Sequence, residues 1–263
     1  MKAFLDGLYL VYNRRELVHP DPLEFLYNYN DPSDREIVGL VASCLAYGRV
    51  AQILKSVEKA LVPLGSHPCD FLTRLAQSPS ELRPELNSTY KNFKHRFTTG
   101  EHVAGLLERI SETLVSYGSL EGFMRDCLNK GGSMLPALDI FSRTLSPARN
   151  GFSMLSSPED GSACKRLFLY LKWMVRSDEV DPGGWTVFSP RDLIMPTDTH
   201  IHNITRQLGF TERKQADLKT ALEITRAFAA LSPEDPTRYD FALTRFGIRG
   251  ALSVSDLIDL YRK

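Results

Sequence analysis

The spacing of apolar residues constrains this chain more than any other feature. They recur at three- and four-residue intervals: Ile37, Leu40, Val41, Cys44 and Leu45; then Val50, Ile53, Leu54, Val57 and Leu61; then Val103, Leu106, Leu107, Ile110 and Leu114. That interval gathers side chains on one face of an α-helix, whereas a half-buried strand needs strict alternation, and alternating runs are nearly absent. The expected fold class is all-α. Asp31-Pro32-Ser33-Asp34 reads as a helix start, and Ser189-Pro190-Arg191-Asp192 as the start of a later short turn. Pro and Gly cluster at 63–68, 146–161 and 182–190, where breaks are expected. The second break ends a helical block and is followed by Gly161-Ser162-Ala163-Cys164-Lys165-Arg166, which runs into the apolar stretch from Leu167 to Val175.

Composition decides which partners remain open. The 263 residues are 43% hydrophobic, enough for a full core. Lys and Arg number 32 and Asp and Glu number 32, so no global positive field drives nonspecific nucleic-acid binding, and any basic surface is local. Cys44, Cys69, Cys127 and Cys164 lie far apart with no Cys-x-x-Cys pair, which argues against an iron-sulfur cluster or zinc ribbon and fits a reducing cytoplasm. The first residues, Met1-Lys2-Ala3-Phe4-Leu5-Asp6, do not read as an export signal, and no run of 18 apolar residues marks a membrane span.

Chemistry concentrates in two segments. The turn ending at Gly161 feeds a helix whose first amides are left without helical partners and can receive a phosphate, with Lys165 in the first helical turn. An unprotonated lysine amine can attack a sugar carbon; the plainer alternative is a solvated lysine beside Arg166. The second segment is Pro196-Thr197-Asp198-Thr199-His200-Ile201-His202. Thr197 or Asp198 can cap the helix through Ile201, Ile204 and Leu208, and a capping carboxylate facing a sugar can also stabilise the positive charge of a breaking glycosidic bond. The same peptide reads as Asp-x-His-x-His, a pattern that suits a divalent metal on a strand end, so metal-dependent hydrolysis through Asp198, His200 and His202 is a further alternative. On a helix, His200 and His202 diverge.

Ile194-Met195-Pro196-Thr197-Asp198-Thr199-His200-Ile201, followed by Arg206-Gln207-Leu208-Gly209-Phe210, resembles the aspartate signature of helix-hairpin-helix DNA glycosylases of the endonuclease III superfamily. Gly161 to Lys165, with Lys172, resembles the hairpin and lysine helix of that superfamily, nearest its archaeal 8-oxoguanine branch. Weaker matches at 40–49 and 235–243, taken together with Cys164-Lys165-Arg166 and Trp173-Met174-Val175-Arg176, also resemble a bacterial family of conserved hypothetical proteins, domain of unknown function 2400. The resemblance implies two helical subdomains with a cleft between them: a bundle over 31–150, and a helix-hairpin-helix subdomain from 1–30 and 151–263. It implies Lys165 as Schiff-base lysine and Asp198 as catalytic aspartate, with Gly161, Ser162, Arg166 and Lys172 at the DNA backbone. Leu45, Tyr47 and Arg49 stand where that superfamily carries its wedge. The implied activity is base excision with AP lyase chemistry on duplex DNA bearing a damaged base such as 8-oxoguanine; a monomer without cofactor, metal or iron-sulfur cluster is expected. The competing reading is a noncatalytic nucleic-acid-binding protein on the same scaffold, favoured by the neutral charge and by Glu159-Asp160, which would repel a phosphate.

Tyr90 to Phe97 interleaves aromatic and basic residues, as single-strand-binding surfaces do. The preferred expectation is a helix with a solvated basic face and with Phe93 and Phe97 in the core. Arg245, Arg249, Arg262 and Lys263 make the C-terminal region basic. Trp173 is expected in the core and Trp185 at the surface.

Overall fold

The computed structural model describes residues 1–148, 151–248 and 253–262. In chain order the helices are α1 (Lys2–Tyr12), α2 (Pro32–Leu45), α3 (Val50–Leu61), α4 (Pro68–Gln77), α5 (Pro79–Tyr90), α6 (Gly100–Tyr117), α7 (Leu120–Gly131), α8 (Met134–Leu145), α9 (Lys165–Val175), α10 (Thr199–Gln207), α11 (Leu218–Leu231), α12 (Asp240–Ile248) and α13 (Val254–Arg262). Among the described residues the sheet content is one antiparallel hairpin, β1 (Lys94–His95) with β2 (Thr98–Thr99), and the protein is mostly helical. No described helix is long and apolar enough to cross a membrane.

The chain forms two compact units, residues 20–160 and residues 1–19 with 161–263. The expected limits at 30/31 and 150/151 thus fall at 19/20 and 160/161. The 3-10 turn Pro22–Asn28 packs on α2 and α3, and the turn Pro158–Asp160 packs back on α8. Both segments therefore belong to the first unit.

Within 20–160 the sequence periodicity becomes buried helix faces. Every apolar residue singled out on α2 and α6 is buried, and on α3 Ile53, Val57 and Leu61 are. Asp31 caps α2, its carboxylate accepting from the Ser33 amide at 2.8 Å, with Pro32 in the first turn, where a missing N–H costs nothing. Glu36 is buried yet satisfied. Its two oxygens accept from the amides of Leu120 (2.7 Å) and Glu121 (3.1 Å), so an α2 side chain holds the positive end of α7. Arg143 on α8 pairs with Glu159 (3.0 Å) and Asp160 (2.9 Å), offsetting that acidic pair.

In the unit of 1–19 and 161–263, α1 packs on α12 and α10 on α12. Leu5 and Leu8 join Ile201, Ile204, Ile224, Phe228, Tyr239, Leu243 and Phe246 in its core. Trp173 is buried as expected, and so is Trp185, contrary to expectation: its amide donates to the Met174 carbonyl (2.8 Å) and its ring meets Tyr170 edge-on at 5.2 Å. Arg245 is likewise buried rather than on a basic surface, stacked over Phe241 at 4.0 Å and donating to the Leu17 carbonyl. Arg249, Lys263 and the side chain of Arg262 lie outside the described residues.

Candidate active site

The site is built at the starts of α9 and α10. Gly161 takes a positive φ of 73°, and Cys164, just before α9, is left-handed at φ 45°. The Ser162 hydroxyl accepts from the Cys164 amide at 3.1 Å, Ser162 forms an antiparallel bridge with Asp217, and the Leu218 amide donates to the Gly161 carbonyl at 3.0 Å. These bonds hold the approach to Lys165, the first residue of α9, from within the turn and from the start of α11. A chain turning left-handed twice in four residues is stable only when its surroundings pin it.

Asp198 rather than Thr197 is the cap of α10. Its Oδ1 accepts from the amides of His200 and Ile201, both at 2.9 Å, while the buried Thr197 hydroxyl donates to the Met195 carbonyl. That leaves Oδ2 free of the helix, and it stands 3.4 Å from the Lys165 ammonium. The side chains of Lys165 and Asp198 keep 30% and 22% of their surface in water. A pair this open contributes only about 0–1 kcal/mol to folding, so the arrangement is not explained by stability alone. Chemically it sets a primary amine beside a carboxylate whose other oxygen is fixed by helix amides.

The other expected site residues divide. Gly161 is exposed, and Ser162 and Arg166 are half-buried, all within the turn and first helical turn around Lys165. Lys172 corrects the expectation of a phosphate contact, because it is buried. Its ammonium lies 2.8 Å from Asp240 and 3.5 Å from Asp181, and Arg176 pairs with Asp181, with Asp178 at 2.9 Å and with Asp235 at 2.9 Å. Burial alone would pull Lys172 toward the neutral amine, but the carboxylates of Asp181 and Asp240 outweigh it and hold Lys172 above the usual lysine range. Two cations among four carboxylates form an interior ion network that periodicity could not reveal, since Lys172 lies in an otherwise apolar stretch and Asp235 and Asp240 come from about sixty residues further along the chain.

Leu45 is also corrected as a wedge: it is the last residue of α2 and wholly buried. Tyr47 is half-buried and committed, its hydroxyl donating to the His95 carbonyl (2.9 Å), accepting from the Thr98 amide (3.2 Å) and meeting the Thr98 hydroxyl at 2.7 Å. Arg49, just ahead of α3, is exposed. The Tyr90–Phe97 helix is not formed. Tyr90 ends α5, and the hairpin clamped by Tyr47 puts Phe97 in solvent instead of the core.

Asp198, His200 and His202 do not converge. His200 is exposed, its Nδ1 lying 3.0 Å from the place where a Cβ on Gly247 would sit, while buried His202 donates from Nε2 to the Arg213 carbonyl at 2.9 Å. Among the described residues no three His, Cys, Asp or Glu side chains are placed to hold a metal ion. On α10 alternate residues point apart, so His200 and His202 do not share a face.

A family model described as a protein of unknown function, DUF2400, matches residues 21–249 of this chain. No curated protein and no solved structure matches it.

Proposed function

The chain belongs to the DUF2400 family, and we propose that it is a base-excision DNA glycosylase with AP lyase activity, acting on a damaged base such as 8-oxoguanine in duplex DNA. The observation that carries this reading is the 3.4 Å approach of Lys165 Nζ to Asp198 Oδ2 at the heads of two helices. A phosphate of the damaged strand is received at the start of α9, where Gly161, Ser162 and Arg166 line the turn. The damaged nucleotide is turned out of the stack at a cost of a few kcal/mol, smallest for a mismatched or damaged base.

Asp198 stabilises the positive charge that develops on the sugar as the base departs with the bonding electrons. Lys165 stays in contact with water, passes a proton from its ammonium to that water, and the neutral amine bonds to C1′ as the base leaves. The C1′–O4′ bond then breaks, O4′ keeping the electron pair and taking up the proton lost from the attached nitrogen, and the opened sugar is left as an iminium. Loss of a C2′ proton then expels the 3′ phosphate, leaving the enzyme bound through an imine that water hydrolyses.

The test is incubation with duplexes carrying single lesions, 8-oxoguanine and uracil among them, in the presence of borohydride. A covalent adduct that disappears in Lys165→Ala is the expected result. Duplexes that bind without adduct or base release would overturn the catalytic reading in favour of a noncatalytic nucleic-acid-binding protein, the reading supported by Glu159 and Asp160 just before Gly161.

A further inference from the structure

Residues 87–100 contain Lys91, Lys94 and Arg96 and no acidic residue, and residues 47–57 contain Arg49 and Lys55 and none either. The structure brings these two segments together at the β1–β2 hairpin. Tyr47 clamps both strands through its hydroxyl, and His95 beneath them is bonded to Ser56 and to the Tyr47 carbonyl. Arg96, left-handed at φ 51°, lies across Gly48, where a Cβ would meet its Cδ at 3.0 Å. Its guanidinium stands 5.6 Å from the centre of the Phe97 ring and 5.9 Å from that of Tyr47. Phe97 itself is 65% exposed, with the tilted Phe152 ring 6.2 Å away.

A single exposed aromatic is ordinary on a protein surface. Here the ring is held in a braced turn, near a second ring, flanked by a guanidinium, and set in a stretch whose charges from Lys91 to Arg96 are all basic. Its hydrophobic surface and its charge surroundings call for the same occupant, a flat apolar face carried on a polyanion.

We infer that the Arg96-Phe97 turn is a stacking platform for single-stranded nucleic acid. Phe97 takes the face of an unpaired base, Arg96 extends the platform, and the exposed cations Arg49, Lys91 and Lys94 meet phosphates. The surface lies wholly within residues 20–160 and stands apart from the Lys165–Asp198 reading, because it needs neither a lesion nor bond cleavage.

The experiment is fluorescence anisotropy of the full chain with a fluorescein-labelled, undamaged oligo-dT, at low salt and over a salt series. Phe97→Ala is expected to weaken binding about tenfold or more and Phe97→Leu to do the same, while Phe97→Trp retains it. Lys94→Gln is expected to reduce the salt slope by about one. Val115→Ala, an exposed apolar position on α6, serves as the control and leaves affinity unchanged. Thermal melts establish that each variant is folded. Wild-type affinity in Phe97→Ala or Phe97→Leu, or an oligonucleotide that does not bind, overturns the proposal; a protein partner for the aromatic tip is one such case.

Discussion

Lys165 and Asp198 each stand at the start of a helix, and the two oxygens of Asp198 do different work: Oδ1 caps α10 and Oδ2 faces the Lys165 amine. The division makes the two roles separable. Asn caps a helix about as well as Asp, so Asp198→Asn is expected to keep stability within about 0.5 kcal/mol in urea denaturation. If the proposed chemistry holds, single-turnover base release in that variant drops by a factor of about 100–1,000. Asp198→Ala loses the cap as well and gives up about 1 kcal/mol. Undiminished turnover in Asp198→Asn would remove the mechanism.

Lys172→Met is expected to be the more damaging change to the fold. It leaves Asp240 and Asp181 in the interior without their ammonium, a loss of about 3–5 kcal/mol by urea denaturation. Lys172→Met combined with Asp240→Leu should recover part of that loss, because a buried carboxylate is removed along with its partner. Were Lys172 a phosphate contact instead, Lys172→Met would weaken DNA binding and leave stability nearly unchanged.

His95 gives residues 20–160 a dependence on pH. Burial pulls its imidazole below the ordinary 6.5, outweighing the Tyr47 carbonyl that favours the charged ring, with Arg96 adding to the depression. A carbonyl only accepts, so Nε2 carries the proton toward Tyr47 and Nδ1 accepts from the Ser56 hydroxyl. The unfolded chain therefore binds the proton more readily than the folded one, and His95's contribution to stability is lost as pH falls from about 6.5 toward the folded value. Melting temperatures between pH 7 and pH 5 should fall, and His95→Gln should flatten that slope. An unchanged slope in His95→Gln would assign it elsewhere.

Gly100→Ala tests the junction between α5 and α6. A Cβ at this position would lie 1.8 Å from the Tyr90 carbonyl oxygen, which is backbone and cannot swing aside. The expected loss is about 1–3 kcal/mol or more, measured as a shift in the urea midpoint. A variant as stable as the parent would mean that the two helix ends separate freely.

The helices were legible in the sequence wherever one face is apolar and the local cap chemistry agrees, as at Asp31-Pro32 for α2 and Asp198 for α10. Both signals are local: a three-to-four-residue period and a side chain bonding amides two or three residues on. Lys165 and Asp198 could be singled out because residue type and position at a helix start already restrict what each can do, but their 3.4 Å separation could not. Lys172 and Phe97 differ from expectation for the opposite reason. Lys172 is expected at a DNA backbone until Asp181, nine residues on, and Asp240, from a distant part of the chain, enclose its ammonium, and a phenylalanine reads as core until Tyr47 fixes a hairpin that turns it outward. Sequence determined the helices that carry an apolar face and a local cap, because both are settled within a few residues, but not the hairpin at 94–99, which needs Tyr47. Tertiary structure decided which charges go inside and which ring stays out, because desolvation is offset only by partners that the folded chain brings together.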